Sequence, residues 1–314
     1  MLQYVVKRIL LFIPTIFFIS LIMFFILNVL PGDATTMSGG LKRQLDEQTT
    51  ANMRKQLGLD QPLHIRYFKY MKGIVKGDFG KSYLRNESVN LLISERIMPT
   101  LQISLAAILI AVGIGIPLGF ISALKQGSWI DTLSMVTAVS GVSIPQFWLG
   151  LILMYVFSLV LNWLPPQGYG DGGFMHMIMP SVTLGVGYMA LIARTTRAAV
   201  IEVLNEDFVR TARAKGISEL AVNYRHVFKN TLILILTTVG LQFGSLVGQT
   251  VIVEKLFSWP GIGSLLVDSI FQRDIPVTQG CVLVIIGVFL IVNLVIDLLY
   301  VVIDPRIKYT ESNR

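Results

Sequence analysis

Charge is what this 314-residue sequence has least of: 14% of its residues are Asp, Glu, Lys or Arg, against about 25% in soluble domains. With 53% hydrophobic residues beside them, too little polar surface remains to wrap a globule, which excludes a water-soluble fold. A single cysteine, Cys281, excludes an intrachain disulfide. The three histidines, His64, His176 and His226, are spread over three polar segments without metal-ligand spacing. No G-x-S-x-G or H-E-x-x-H occurs, and no acid–base cluster points to an enzyme. Gly80-Lys81-Ser82 ends like a phosphate-binding loop, yet the glycine required five places earlier is Val75. No catalytic site, metal site or cofactor is therefore expected in this chain.

What is present is a series of apolar runs near the bilayer-spanning length of about 20 residues. Six are read as transmembrane helices, at 9–30, 100–124, 132–161, 175–193, 231–253 and 280–303. Lys7 and Arg8 precede the first. It exceeds the 7–15 residues of a signal-peptide core, so an uncleaved anchor with a cytoplasmic N-terminus is expected. Residues 31–98 carry eleven Lys/Arg and seven Asp/Glu. They are read as an extracytoplasmic loop, because the positive-inside rule weakens for loops beyond about 60 residues. Within it, Pro62 opens a helix whose stripe of Ile65, Phe68, Met71, Ile74 and Val75 suggests a small folded cap. The fourth run returns the chain to the inside, where residues 194–229 hold seven Lys/Arg against four acids. The expected organisation is an N-terminal end with the first span (1–30), the loop (31–98), and a core of five spans (99–314), both termini being cytoplasmic. The net charge of +7 then reflects membrane topology and not nucleic-acid binding.

The polar loop 202–229, EVLNEDFVRTARAKGISELAVNYRHVFK, interrupts this apolar pattern. Residues 207–215 are good helix formers apart from Val209 and Thr211. Val209, Ala212 and Gly216 share one small, smooth face, with Arg210, Arg213 and Lys215 outside it. Gly216 is suited to end the helix at φ > 0, with Ile217 after it, and Ser218 to cap a second helix from Glu219. A compact helix–turn–helix of this kind predicts a docking element.

Inside the spans, Gly113, Gly115 and Gly119 favour close helix packing. Pro145 and Gly141 are placed to bend the third run. Ser143 and Gln146 are polar at membrane depth, and Gln242, Ser245 and Gln249 share a face at i, i+3 and i+7. Such residues serve packing hydrogen bonds or line a water-filled path, and spacing does not separate the two readings. Asp297 is the one acid expected within a span. Trp259-Pro260-Gly261 breaks the chain before a short amphipathic stretch.

The run RTARAKG at 210–216 resembles the EAA loop of binding-protein-dependent ABC transporter permeases, in the form seen in the dipeptide/oligopeptide/nickel branch. Ala212 and Gly216 match the general Glu-Ala-Ala-x-x-x-Gly pattern. Arg210 and Thr211 replace its first two residues, and His226, Phe228 and Lys229 stand in its later I-x-L-P part. LPGD at 30–33, LGLDQPL at 57–63, GDFGKSY at 77–83, GVSIPQFWLG at 141–150 and DPR at 304–306 resemble the same branch, in order along the chain. The resemblance implies an all-α polytopic membrane protein with the type I importer permease fold and six transmembrane helices. It implies the first, B-type, of two homologous permease subunits in a bacterial or archaeal inner membrane. An extracytoplasmic binding protein delivers di- or oligopeptides, and two cytoplasmic ATPase subunits hold ATP and magnesium. Asp207, Phe208, Arg210, Thr211, Ala212, Arg213, Lys215, Gly216, Ile217, Ser218 and Glu219 become the candidate ATPase-coupling residues. Ser143, Gln146, Gln242, Ser245 and Gln249 are the candidate translocation path, and 254–279 a candidate contact for the binding protein or an external gate. Nickel or glutathione is the alternative cargo within the branch. A secondary transporter, the reading from another class, would favour charged groups at mid-membrane.

Overall fold

The computed structural model describes residues 2–29, 55, 58–170 and 173–303. LPGD, DPR and the start of LGLDQPL lie outside the described residues. Those described are helical almost throughout, and no strand occurs among them beyond the isolated bridge of Lys81 with Ser88. In chain order the helices are α1 Leu2–Val29, α2 Leu63–Val75, α3 Val89–Leu124, α4 Trp129–Ser143, α5 Gln146–Leu153, α6 Phe174–Leu204, α7 Asp207–Ala214, α8 Lys229–Leu256, α9 Ile262–Phe271 and α10 Ile275–Ile303. α5 runs on into a π-helical turn over Met154–Val160, and a second π-helical stretch, Val222–Phe228, leads into α8.

Among the described residues five helices are long and apolar enough to cross a membrane: those containing α1, α3, α6, α8 and α10. The third expected run, 132–161, is not one rod. α4 and the α5 arm meet at 103°, and the break has a local cause. Pro145 excludes the helical region for the residue before it, and Ile144 is extended at φ −82°, ψ 123°. Each 15-residue arm spans ~22 Å, short of a hydrocarbon core of about 30 Å. α3, by contrast, begins at Val89, well before the expected start at 100, and its 36 residues give ~54 Å, so it overhangs the bilayer.

α3 and α6 form the central pair. Gly115 and Gly119 lie on the backbone of α6; a Cβ on Gly115 would sit 2.7 Å from the Met189 carbonyl oxygen, whereas Gly113 faces open space. Small residues permit this close approach, where lipid gives no hydrophobic drive to association. α1 stands at the edge, held to α10 by Arg8–Asp297 at 3.2 Å, with most of its large side chains exposed.

α2 lies against α1, but not by the expected stripe. Tyr67 and Tyr70 meet the Phe24 ring at 5.2 and 6.1 Å, and the Ser20 hydroxyl lies within hydrogen-bond reach of Tyr67 and Met71. Phe68 and Val75 are 73% and 83% exposed, and none of α2 is buried. The stripe is split: Ile65, Phe68 and Val75 are exposed, whereas Met71 and Ile74 are half-buried, and the amphipathic tyrosines make the ring contacts.

Candidate coupling surface and polar path

α7 and the turn after it form as the spacing predicts. Gly216 has φ +74°, its N–H donates to the Arg213 carbonyl at 2.9 Å, and Ile217 N–H donates to Ala212 at 3.3 Å. These are the paired bonds of a Schellman ending. Ser218 occupies the cap position of the next helix without a capping side-chain bond. The Arg213 guanidinium instead spans the turn, donating to both Glu219 carboxylate oxygens at 2.9 and 3.3 Å.

The smooth face turns inward. Val209 and Ala212 are buried with Phe120, Ala123, Val200, Val222 and Val227, with Ile217 and Phe228 packed against them. They seat the element on the ends of α3 and α6, so that Ala212 packs into this chain's own core. Asp207, Phe208, Arg210, Thr211, Arg213, Lys215, Gly216, Ser218 and Glu219 are exposed. Leu220 and Tyr224 are exposed as well, at 73% and 65%. Sequence reasoning passed over these two; their signal was two large side chains on a short polar helix, one turn apart.

Beneath this element lies an ion pair absent from the sequence reading. Arg197 on α6 donates from Nε and an η-nitrogen to the two Asp131 oxygens on α4, both at 2.7 Å. Ser122 and the Gly127 N–H also donate to that carboxylate. A bidentate guanidinium–carboxylate pair fixes orientation as well as distance. It joins α3, α4 and α6 at the end where α7 docks.

The candidate path residues are brought together only in part. Gln146, in the first turn of α5, reaches Gln249 on α8 (Nε2 to Oε1, 3.5 Å). Gly187 of α6 lies beside Gln146. Gln242 and Ser245 continue the stripe half-buried, Ser245 Oγ donating to the Gln242 carbonyl at 2.9 Å. Ser143 is exposed, but its hydroxyl bonds within α4 to Val139 at 3.0 Å and does not join the glutamines. The 103° break is what turns Gln146 towards α8.

At the opposite end of the molecule the structure buries an acid that lies just past the expected fifth span, 231–253. Glu254, near the end of α8, is fully buried. It accepts from Thr100 Oγ1 at 2.7 Å and from Ser264 N–H at 2.8 Å. Thr100 in turn accepts from Ile262 N–H at 2.8 Å. The Trp259 indole donates to the Pro99 carbonyl at 2.9 Å. A Cβ on Gly261 would collide with the Glu254 carboxylate, and one on Gly263 would lie 2.9 Å from it. The Trp-Pro-Gly break thus folds α9 back over a carboxylate whose oxygens are met by donors, as burial requires. Asp274 repeats the pattern nearby, accepting from Ser82 Oγ and from Tyr83 N–H. The Gly-Lys-Ser sequence is therefore a structural tie.

Residues 115–309 match the family described as "Binding-protein-dependent transport system inner membrane component". Residues 1–106 match its companion N-terminal domain. The chain is 45% identical over 309 residues to the glutathione transport system permease protein GsiC of Escherichia coli K12, covering 98% of this chain and all of that one. It is 43% identical, at the same coverage, to GsiC of Salmonella typhimurium LT2. Among solved structures, an inward-facing form of the MetNI methionine ABC transporter superposes with a TM-score of 0.59 at 15% identity, covering 68% of this chain and 97% of that one. A crystal structure of an amino acid ABC transporter with histidines gives 0.53 at 16% identity, covering 67% and 92%. At such identities these two speak for the fold alone.

Proposed function

The chain belongs to the inner membrane components of binding-protein-dependent transport systems, the permease subunits of ABC importers whose ATP hydrolysis is carried by separate subunits, and from that premise we propose that it moves short peptides, delivered by a binding protein, into the cytoplasm. The observation that carries the reading is the end-to-end match at 45% identity to a glutathione permease. Glutathione is itself a tripeptide, so a peptide path and a glutathione path ask for the same polar, uncharged lining. The Gln146–Gln249 pair supplies such a lining, with Gln242 and Ser245 continuing the stripe. A second permease of the same family would complete the path against this face.

The loop over 205–228 is then the contact with an ATPase subunit that binds ATP and magnesium, residues 31–98 and α9 lie outside, and both termini lie inside. Phe208, Arg210, Thr211, Lys215, Leu220 and Tyr224 offer the outward surface, while Val209 and Ala212 hold it to the core. ATP closure acts through differential contacts of this surface in the two states of the transporter. Rigid seating on α3 and α6 supports that role, because a loose loop would dissipate the motion.

The test is uptake into membranes containing the assembled transporter, with labelled dipeptide, a longer peptide, glutathione and nickel compared side by side. ATP-dependent uptake of peptides or glutathione is expected. Uptake of nickel alone would overturn the cargo assignment, and recovery of the chain without ATPase subunits would overturn the coupling assignment.

A further inference from the structure

One chamber is used by neither the coupling surface nor the path. It lies between α1, α2, the 78–83 loop and the first turn of α10, with a volume of about 500 Å³. Four cations line it, Lys55, Arg66, Lys69 and Lys81, against one acid, Asp78. Asp78 is already engaged with the Gly80 N–H at 2.9 Å. Among the described residues none of the four cations makes an ion pair: Arg66 bonds to Asn28 and Lys69 to Gln61, both neutral. Two of the lining residues, Tyr70 and Gln279, also carry a buried donor without a partner, Oη and Nε2, Gln279 being only 4% exposed. Buried donors without partners are rare in native proteins and point to a missing acceptor.

A second chamber of about 400 Å³ adjoins the first across Phe24 and has the opposite character. Leu21, Phe24 and Phe25 of α1 and Leu63, Tyr67 and Phe68 of α2 line it, with His64 beside them. It opens where Phe25 of α1 and Phe68 of α2 are exposed. A cationic, donor-rich chamber joined to an apolar one at the end of a transmembrane helix fits one kind of molecule. We propose that α1, α2 and the α10 N-terminus form a binding site for an anionic phospholipid, the headgroup phosphate in the first chamber and the acyl chain in the second. The phosphate oxygens match the unpartnered donors, and the net negative charge matches the cations.

The test uses the full transporter complex, delipidated in detergent and titrated with phosphatidylglycerol or phosphatidylcholine, with bound lipid read by native mass spectrometry. Phosphatidylglycerol should bind in clear preference. The exposed pair Lys69→Gln/Lys81→Gln should weaken it about thirty-fold, from two near-surface cations. Lys72→Gln/Lys76→Gln, the same charge change outside the chamber, should leave binding unaltered. Equal binding of the two lipids, or an equal loss in both double variants, overturns the proposal. So does displacement of phosphatidylglycerol by an equal concentration of inorganic phosphate, which would mark a small-anion site.

Discussion

Gly216 is the position where a one-atom change separates backbone geometry from surface contact. Its φ of +74° lies in the left-handed region, and nothing of the chain itself comes within 4 Å of an added Cβ. Gly216→Ala therefore meets no wall within this subunit. Its whole internal penalty is the about 1–2 kcal/mol of an L-residue held left-handed. That is comparable with one or both of the turn bonds that Gly216 and Ile217 make to Arg213 and Ala212, at about 1 kcal/mol each. Coupling free energies in allosteric machines are typically about 1–3 kcal/mol, so loosening this turn is enough to lose most of the coupling. Gly216→Asn accepts the left-handed region at little strain. We expect Gly216→Ala to leave the chain inserted at normal levels, to reduce recovery of the ATPase subunits about 5- to 30-fold, and to reduce uptake with it. Gly216→Asn should retain attachment better than Ala. Gly216→Asp, which adds a negative charge just past the C-terminus of α7, where the helix dipole disfavours it, should abolish uptake. The assay is pull-down and uptake measured in the same membranes. Wild-type attachment and uptake in both the Ala and Asp variants would refute the placing of the docking surface.

Arg197→Met strands the Asp131 carboxylate and should cost about 3 kcal/mol, seen as a lower Tm in detergent, while Asp131→Asn in the same chain should restore part of it; no change in Tm would show the pair to be idle. Gly261→Ala forces a methyl into the Glu254 carboxylate and should depress the yield and Tm of the isolated chain, whereas Gly113→Ala, facing open space, should be neutral; equal behaviour would mean that Glu254 is free to move. Gln249→Leu should impair transport while the complex still assembles, if the Gln146–Gln249 pair lines the path; a loss of assembly instead would assign the pair to packing. Cysteine labelling from outside, with the native Cys281 buried, should reach a probe at Lys76 and not one at Ser218, and the reverse pattern would invert the topology.

The local features were legible in the sequence because each is set by residues close along the chain. Spans come from the length of apolar runs, and the turn at Gly216 from one residue that tolerates φ > 0 after a helix. The family emerged from short motifs in fixed order. The broken third span was half visible: Pro145 announced a disturbance, but a proline in a helix gives anything from a kink to a full stop, and α1, α3 and α6 carry theirs without breaking. What only the tertiary structure decided depends on partners distant in the chain. Glu254 reads as a loop acid until Thr100, more than a hundred residues away, is folded against it. Asp131 and Arg197 are one charge each at two helix ends until α4 and α6 pack. Which residues of the α2 stripe are covered was not legible, because period alone cannot tell a face turned to protein from one turned to solvent or lipid. In water an apolar stripe must find a core, whereas in a bilayer it need not, and side-chain packing then chooses the face.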